Sequence, residues 1–368
     1  MKKRVLSVLV ASVLTVGLML AGCGEETKTE TAEAETPVET VTEGVTEEVT
    51  PEPTEEAKEP VEVALEDVDI SVAALKGPTA MGMVKLMEES EGDLTETNHY
   101  TFTISAAPDE ITPAIVQGKV DIAAVPANLA AVLAKKTEGG VKVIAINTLG
   151  VLYIVENGET INSVEDLKGK TIYASGKGST PEYALNYMLK SNGIDPDSDV
   201  TIEYKAEHTE CVSALEADPD GVAMLPQPFV TVAQLSNEKT RIALDMTEEW
   251  EEASKANGSS ASLVTGVVIA RSKFIDEHPE AVDLFLSQYE ESVAFTNDNT
   301  EEAANLIEGY DIIKAAVAKK AIPYCNIVCI KGNDMKEKLS GYLGELYNQN
   351  PEAVGGAVPA DEFYYIAE

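Results

Sequence analysis

Histidine and cysteine are scarce in this chain of 368 residues, with three of the first and four of the second. His99, His208 and His278 are scattered and share no metal-ligand spacing, so no metal site is expected. His208 stands three residues before Cys211, and without further ligands the pair reads as structural. A Gly-x-Ser-x-Gly elbow, a Walker phosphate loop and a dinucleotide fingerprint are all missing. No catalytic set and no cofactor motif is left, which points to a binder rather than an enzyme. Basic residues are also few: 27 Lys and Arg against 64 Asp and Glu give a net charge of −37. Such a chain cannot neutralise phosphates, and nucleic acid is excluded as a partner. The single tryptophan, Trp250, sits in an acidic helical stretch over 247–256 and reads as a packing residue. Cys211 reads as a small buried residue. Cys325 and Cys329 are four apart, a spacing that leaves free thiols and a disulfide both open.

What the chain does have is one local device, used twice. Residues 69–75 are apolar and β-branched and read as a buried strand; Gly77-Pro78-Thr79 breaks it, and Met81, Val84 and Leu86 restart at helical spacing. About a hundred residues on, 171–175 reads as a strand, Gly176 to Pro181 as a turn and 182–189 as a helix. Pro181 suits the first helical position and Ser179 or Thr180 the cap. Each copy places a Lys-Gly step and a hydroxyl residue before its helix: Lys76-Gly77 with Thr79, Lys177-Gly178 with Ser179 and Thr180. Free N–H groups at a helix start, with the positive end of the macrodipole, suit an anionic or acceptor-rich ligand. Two such cradles would face each other across a cleft.

The N-terminal stretch is set apart from the fold. Met1 to Arg4 is basic, Val5 to Leu20 apolar, and Leu20-Ala21-Gly22-Cys23 resembles the bacterial lipobox. The resemblance implies cleavage before Cys23 and acylation there, palmitate included, giving a stable lipid anchor to the extracytoplasmic face of the cell membrane. Residues 24–66 follow as a tether with fifteen Glu against Lys28 and Lys58, four prolines and no aromatic residue. It cannot bury enough apolar surface to offset its ordering entropy and is expected to be disordered and extended.

About three hundred residues remain, more than one core usually holds, so two lobes are expected. Strand 100–104, helix 108–117, strand 119–125 and helix 129–135 form the βαβ alternation of a parallel sheet. Ligands in such sheets sit outside the carboxyl ends of the strands, which sets Pro126, Ala127 and Asn128 beside the first cradle. Asn128 also fits a plain helix cap. The apolar run 141–155 is too long for one strand and is interrupted at Asn147-Thr148-Leu149-Gly150, where the chain crosses between lobes. In the second lobe Pro226-Gln227-Pro228 mirrors Pro126 to Asn128, and Gln227 offers both a donor and an acceptor. Strand 262–270 returns to the first lobe, residues 274–344 read as helical, and the tail 348–368 packs on that lobe.

The strand ending Asp121-Ile122-Ala123, the crossing, Val164-Glu165-Asp166-Leu167-Lys168-Gly169-Lys170 and the Gly/Ser/Thr loop opening a helix together resemble bacterial ABC-transporter solute-binding proteins. The likeness is to the group that includes taurine, alkanesulfonate, nitrate and thiamine-pyrimidine-precursor binders. It implies an α/β periplasmic-binding-protein type II fold, two lobes hinged on two crossing strands. On this reading lobe 1 comprises 67–148 and 260–368, lobe 2 comprises 149–259, and the hinges lie at 147–150 and 257–262. The first loop, Lys76-Gly77-Pro78-Thr79, fits no one ligand subgroup. The expected ligand-binding residues are Lys76, Gly77, Pro78, Thr79 and Ala80 in the first cradle, with Pro126, Ala127 and Asn128 beside it. Gly150 and Tyr153 at the crossing, Lys177, Gly178, Ser179 and Thr180 in the second cradle, and Gln227 opposite complete the set.

The implied function is a monomeric receptor that closes on a small nitrogen- or sulfur-containing solute and delivers it to a membrane permease, with no cofactor. The lysines favour a sulfonate or carboxylate, while Tyr153, Tyr173 and Tyr183 would equally suit a planar heterocycle. Two other readings stand beside it. One is an enzyme on the same scaffold, for which Glu182 is the one candidate acid or base. The other is a sensory or adhesive surface lipoprotein, supported by the acidic surface alone.

Overall fold

The structure, a computed structural model, describes residues 66–258 and 261–367. The leader, Cys23 and the tether up to residue 65 lie outside the described residues.

The chain begins with β1 (Val68–Leu75), α1 (Pro78–Met81), α2 (Val84–Glu91), β2 (Asn98–Ser105), α3 (Pro108–Val116), β3 (Ile122–Pro126), α4 (Ala127–Lys136) and β4 (Val141–Thr148). It continues through β5 (Leu152–Asn157), β6 (Thr171–Ala174), α5 (Thr180–Ser191), β7 (Thr201–Tyr204), α6 (His208–Ala217), β8 (Val222–Pro226), α7 (Phe229–Ser236), β9 (Thr240–Asp245) and α8 (Met246–Ala256). Then follow β10 (Gly266–Arg271), α9 (Ser272–Glu277), α10 (Pro279–Asp298), α11 (Thr300–Gly309), α12 (Ala315–Ala321), β11 (Ile327–Ile330) and α13 (Gly332–Gln349).

Two sheets result. One has the order β11-β4-β10-β3-β1-β2 and the other β7-β6-β8-β5-β9. The β1–β2, β1–β3, β6–β7 and β6–β8 pairs are parallel, as their helical crossovers require. Antiparallel β10 lies between β3 and β4, and antiparallel β5 between β8 and β9. Every residue of β5 is buried, and of β4 all but Lys142, which explains their near-continuous apolar sequence. The chain passes from the first sheet to the second between Thr148 and Leu152, and returns between Ala256 and Gly266. One apolar cluster runs through both sheets, joining Val125 and Ile146 to Leu152, Ile154, Trp250 and Tyr342. The outer face of the first sheet has its own core around Met81, Met83, Phe285 and Tyr289.

Three local details differ from the sequence reading. The helical region 274–344 is interrupted by β11, a four-residue strand on the edge of β4. Its Ile327, Val328 and Ile330 carry the β-branched signal, but the run is too short to stand out from helical neighbours. Helix α4 starts at Ala127, with Pro126 in the cap position, so Asn128 is a helical residue and not a cap. Cys325 follows a short 3₁₀ turn while Cys329 lies in β11, and both thiols are free. The tail is anchored on β4, where Tyr364 bridges Val143 and the Tyr365 N–H donates to the Val143 carbonyl at 2.9 Å.

Candidate functional site

The first cradle forms where β1 ends. Gly77 has φ +119°, a region closed to most side chains, and this lets the chain turn directly into Pro78 at the head of α1. Thr79 Oγ1 donates back to the Leu75 carbonyl at 2.6 Å, and the Ala80 and Met81 N–H groups both donate to the Gly77 carbonyl. Lys76 is on the surface, where its Nζ pairs with Asp311 Oδ2 at 3.0 Å. That ammonium holds the Asp311 carboxyl below its usual range.

The second cradle follows β6. Gly176 and Gly178 have φ +75° and +78°, and a Cβ on Gly176 would fall 2.8 Å from Pro181 Cγ. Ser179 caps α5, but its hydroxyl donates to the Gly176 carbonyl at 2.8 Å instead of receiving a helix N–H. The Gly178 N–H donates to Glu182 Oε2 at 2.6 Å, so a carboxylate of the protein occupies the helix start. Lys177 is exposed, with its Nζ 5.5 Å from the Tyr204 ring centre.

Between the sheets the start of α4 meets the second cradle through neutral groups. Asn128, on α4, and Thr180, on α5, are both buried. Thr180 Oγ1 donates to Asn128 Oδ1 at 3.4 Å, and Asn128 Nδ2 donates to the Gly178 carbonyl at 3.5 Å and the Ala353 carbonyl at 3.4 Å. Pro126 pairs with Gly266 in the sheet, and the Ala127 N–H donates to the Thr265 carbonyl at 3.1 Å. Gln227 is turned onto its own helix: Oε1 accepts from Thr231 N at 3.3 Å and Thr231 Oγ1 at 2.9 Å. Tyr153 reaches across to the Tyr324 carbonyl at 3.4 Å. Burial, then the nearby carboxylate of Asp245, pushes its phenol up to about 12.

The crossing holds polar residues that the sequence reading did not select. Asn147 and Thr148 are buried at the end of β4, and neither side chain has a hydrogen-bond partner. The hydroxyl oxygens of Thr247 and Thr265 are likewise buried and unpartnered. The Tyr289 hydroxyl lies close enough to Asn147 to be influenced by it, but no hydrogen bond of normal geometry closes between them. Two glycines let these side chains pack closely against the backbone. A Cβ on Gly266 would lie 2.5 Å from Asn147 Oδ1, and one on Gly150 2.1 Å from Thr247 Oγ1. The interruption of an apolar run by Asn147-Thr148 was the available signal, and it pointed equally to a hinge.

Both arginines among the described residues are held in ion pairs, Arg271 with Asp121 and Arg241 with Glu156. Asp121 precedes β3 and Glu156 lies near the far end of β5, at the opposite strand ends from Pro126 and Leu152. Among the described residues no group of His, Cys, Asp or Glu could hold a metal ion.

Two α/β units joined by two crossings, with helix-opening loops facing each other, define a solute receptor of the type II periplasmic-binding-protein fold. A family model described as the periplasmic phosphonate substrate-binding protein of ABC transporters matches residues 79–321, and the chain belongs to that family. Its members are solute-binding proteins of importers, not enzymes. An ABC transporter protein from Parabacteroides distasonis has a similar structure, with a TM-score of 0.68 at 21% identity, covering 82% of this chain and 99% of that one. The alkanesulfonate-binding protein SsuA from Xanthomonas axonopodis pv. citri, bound to MOPS, gives 0.61 at 14% identity over 81% and 96% of the two chains. The nitrate-binding protein NrtA from Synechocystis PCC 6803 gives 0.56 at 12% identity over 82% and 92%. At such identities the likeness is one of fold. A sequence comparison with curated proteins gives no match. Among the described residues no helix is long and apolar enough to cross a membrane.

Proposed function

We propose that this protein is the extracytoplasmic receptor of an ABC importer, acylated at Cys23 and held off the membrane by residues 24–66. Lobe 1 (67–148 and 260–368) and lobe 2 (149–259) close on a small nitrogen- or sulfur-containing organic solute, which the monomer delivers to a permease. Thr79, Asn128, Gly150, Tyr153 and Thr180 surround the solute, and the crossings at 147–150 and 257–262 bend. The observation that carries this reading is the contact of Asn128 with Thr180 and Gly178. These groups touch at 3.4 and 3.5 Å, beyond the usual hydrogen-bond optimum, so a solute offering shorter bonds would replace them at little cost.

Thermal unfolding with a panel of sulfonates, nitrate, amino acids, pyrimidines and vitamins tests it. A ligand at a hundred times its Kd adds about 2.7 kcal/mol. For a protein of this size the midpoint rises by roughly 2–4 °C per kcal/mol. A hit without turnover supports the receptor; a midpoint unmoved by the whole panel favours a protein partner.

A further inference from the structure

We infer that the turn Tyr324-Cys325-Asn326 acts as a third, non-covalent strand of the hinge, in which Asn326 positions the first crossing and restrains the lobes. This inference rests on the receptor reading above, which takes residues 147–150 as a crossing that bends.

The crossing leaves β4 at Thr148 and joins β5 at Leu152. Its two ends are held by the sheets it connects. The Thr148 carbonyl accepts from the Thr265 N–H at 3.0 Å, and the Val151 carbonyl accepts from the Gln227 N–H at 2.9 Å. Between these points the chain lies beyond the last β10–β4 pair, and one residue meets it twice. The Leu149 N–H donates to the Asn326 carbonyl at 3.2 Å, and the Asn326 side-chain amide donates to the Gly150 carbonyl. Gly150 is buried, so its carbonyl needs a partner in place of bulk water. Gly150 also packs against Thr247 of α8, with no room for a side chain. The crossing is thus gripped by the second unit through Thr247 and by the first through Asn326.

The start of β11 places Asn326 for this role. Ile327 pairs with Thr148 in an antiparallel ladder, which sets the preceding residue beside Leu149. Asn326 has φ +43°, in the left-handed region that Asn enters more readily than most side chains. In an extended residue the side chain stands perpendicular to the ladder, whereas here the amide and the carbonyl meet the same chain.

The same turn reaches the second unit. The Tyr324 carbonyl accepts from the Tyr153 hydroxyl of β5 at 3.4 Å, and α12, just before the turn, packs against α7. The Tyr324 ring is 56% exposed, so the backbone of the turn makes this link. Opening of the cleft moves β5 and α7 away from the turn and stretches these contacts, while those of Asn326 sit at the bend.

An asparagine at positive φ can also simply end a turn, and glycine serves that purpose equally well. Asn326→Gly separates the two roles, because it keeps the backbone carbonyl and removes only the side-chain donor. Asn326→Asp, which sets a carboxylate against the Gly150 carbonyl, is the second variant should the first fail to fold. Hydrogen exchange by mass spectrometry and acrylamide quenching of Trp250 are read on the full mature chain without added solute. Exchange over 148–152 is expected to speed up about three- to tenfold, as loss of one hydrogen bond implies, with β1 and β8 unchanged. Quenching should rise as well, because Trp250 lies against Tyr342 of the other unit. Unchanged exchange over 148–152 overturns the inference. Faster exchange spread evenly over both sheets also overturns it, since that marks a loss of overall stability. So does faster exchange at the crossing with unchanged quenching, since the turn then does not restrain the lobes. A solute panel that binds nothing counts against the receptor reading and leaves the exchange result as it stands.

Discussion

The ring of Trp250, on α8, lies 5.5 Å from the ring of Tyr342, on α13, so one aromatic contact joins the unit built on the second sheet to a helix packed on the first. The Tyr187 ring lies 4.2 Å from the indole, tilted by 37°, and the indole N–H donates to the Ala261 carbonyl at 3.1 Å. Because Trp250 is the single tryptophan and is buried here, its emission reports on closure. Solute binding is expected to shift the emission, since closure alters how the Tyr187 and Tyr342 rings pack against the indole. Tyr342→Leu should shrink that shift and weaken binding several-fold, as a fluorescence titration would show.

Gly150 is expected to tolerate no side chain. A Cβ there would stand 2.1 Å from Thr247 Oγ1 and 3.0 Å from Thr247 Cβ, so Gly150→Ala forces the crossing apart at a cost of about 1–3 kcal/mol. Thr247→Ala removes the nearest atom and should recover part of the loss. Denaturant melts of both single variants and the double variant check it through their departure from additivity.

Thr180→Val keeps the shape of a buried side chain but removes the donor to Asn128 Oδ1. The bond is long, so stability should fall by about 1 kcal/mol or less. Solute affinity is expected to fall further, by tenfold or more, if the hydroxyl turns to the ligand on binding. Comparing the change in Tm with the change in Kd separates the two effects.

His208 is expected to stay neutral well below pH 6. Burial, with Phe229 packed at 4.9 Å, lowers its pKa to about 4, and its Nδ1 lies 2.5 Å from Ser175 Oγ. The unfolded chain therefore binds a proton that the folded chain does not between about pH 6.5 and 4, and stability falls as pH drops through that window. His208→Gln should flatten this part of the Tm profile, and the imidazole resonances should titrate near 4.

Glu156 gives a second acid limb. Burial raises its pKa, but the N–H groups of Ile161 and Thr160, the Thr160 hydroxyl and Arg241 outweigh that, and the net shift is downward. A depressed carboxylate contributes stability above its unfolded pKa of roughly 4.3 and loses it as pH falls through the folded value. Glu156→Gln leaves Arg241 without its charge partner and should cost about 2–3 kcal/mol at pH 7, less than for a fully buried pair because Arg241 is partly exposed. Its Tm should then vary less below pH 4.5 than that of the wild type.

What the sequence by itself determined was local. The apolar runs of β4 and β5, the turn at Gly77-Pro78 and the helix starts at Pro78 and around Pro181 follow from side-chain periodicity, φ preference and proline geometry, all of which act within a few residues. The closure of Gly178 onto Glu182, four residues away, acts over the same short range, whereas the sequence reading offered Glu182 only as a candidate acid or base. Tertiary structure decided the rest. Lys76 meets Asp311 across 235 residues, Arg271 meets Asp121 across 150, and β11 becomes a strand by pairing with β4. Which charges are neutralised, and which hydroxyls and amides are left without partners at Asn147, Thr148, Thr247 and Thr265, depends on groups brought together from distant parts of the chain. No local pattern encodes that pairing, because Coulomb and hydrogen-bond energies depend on distance in space and not on separation along the sequence.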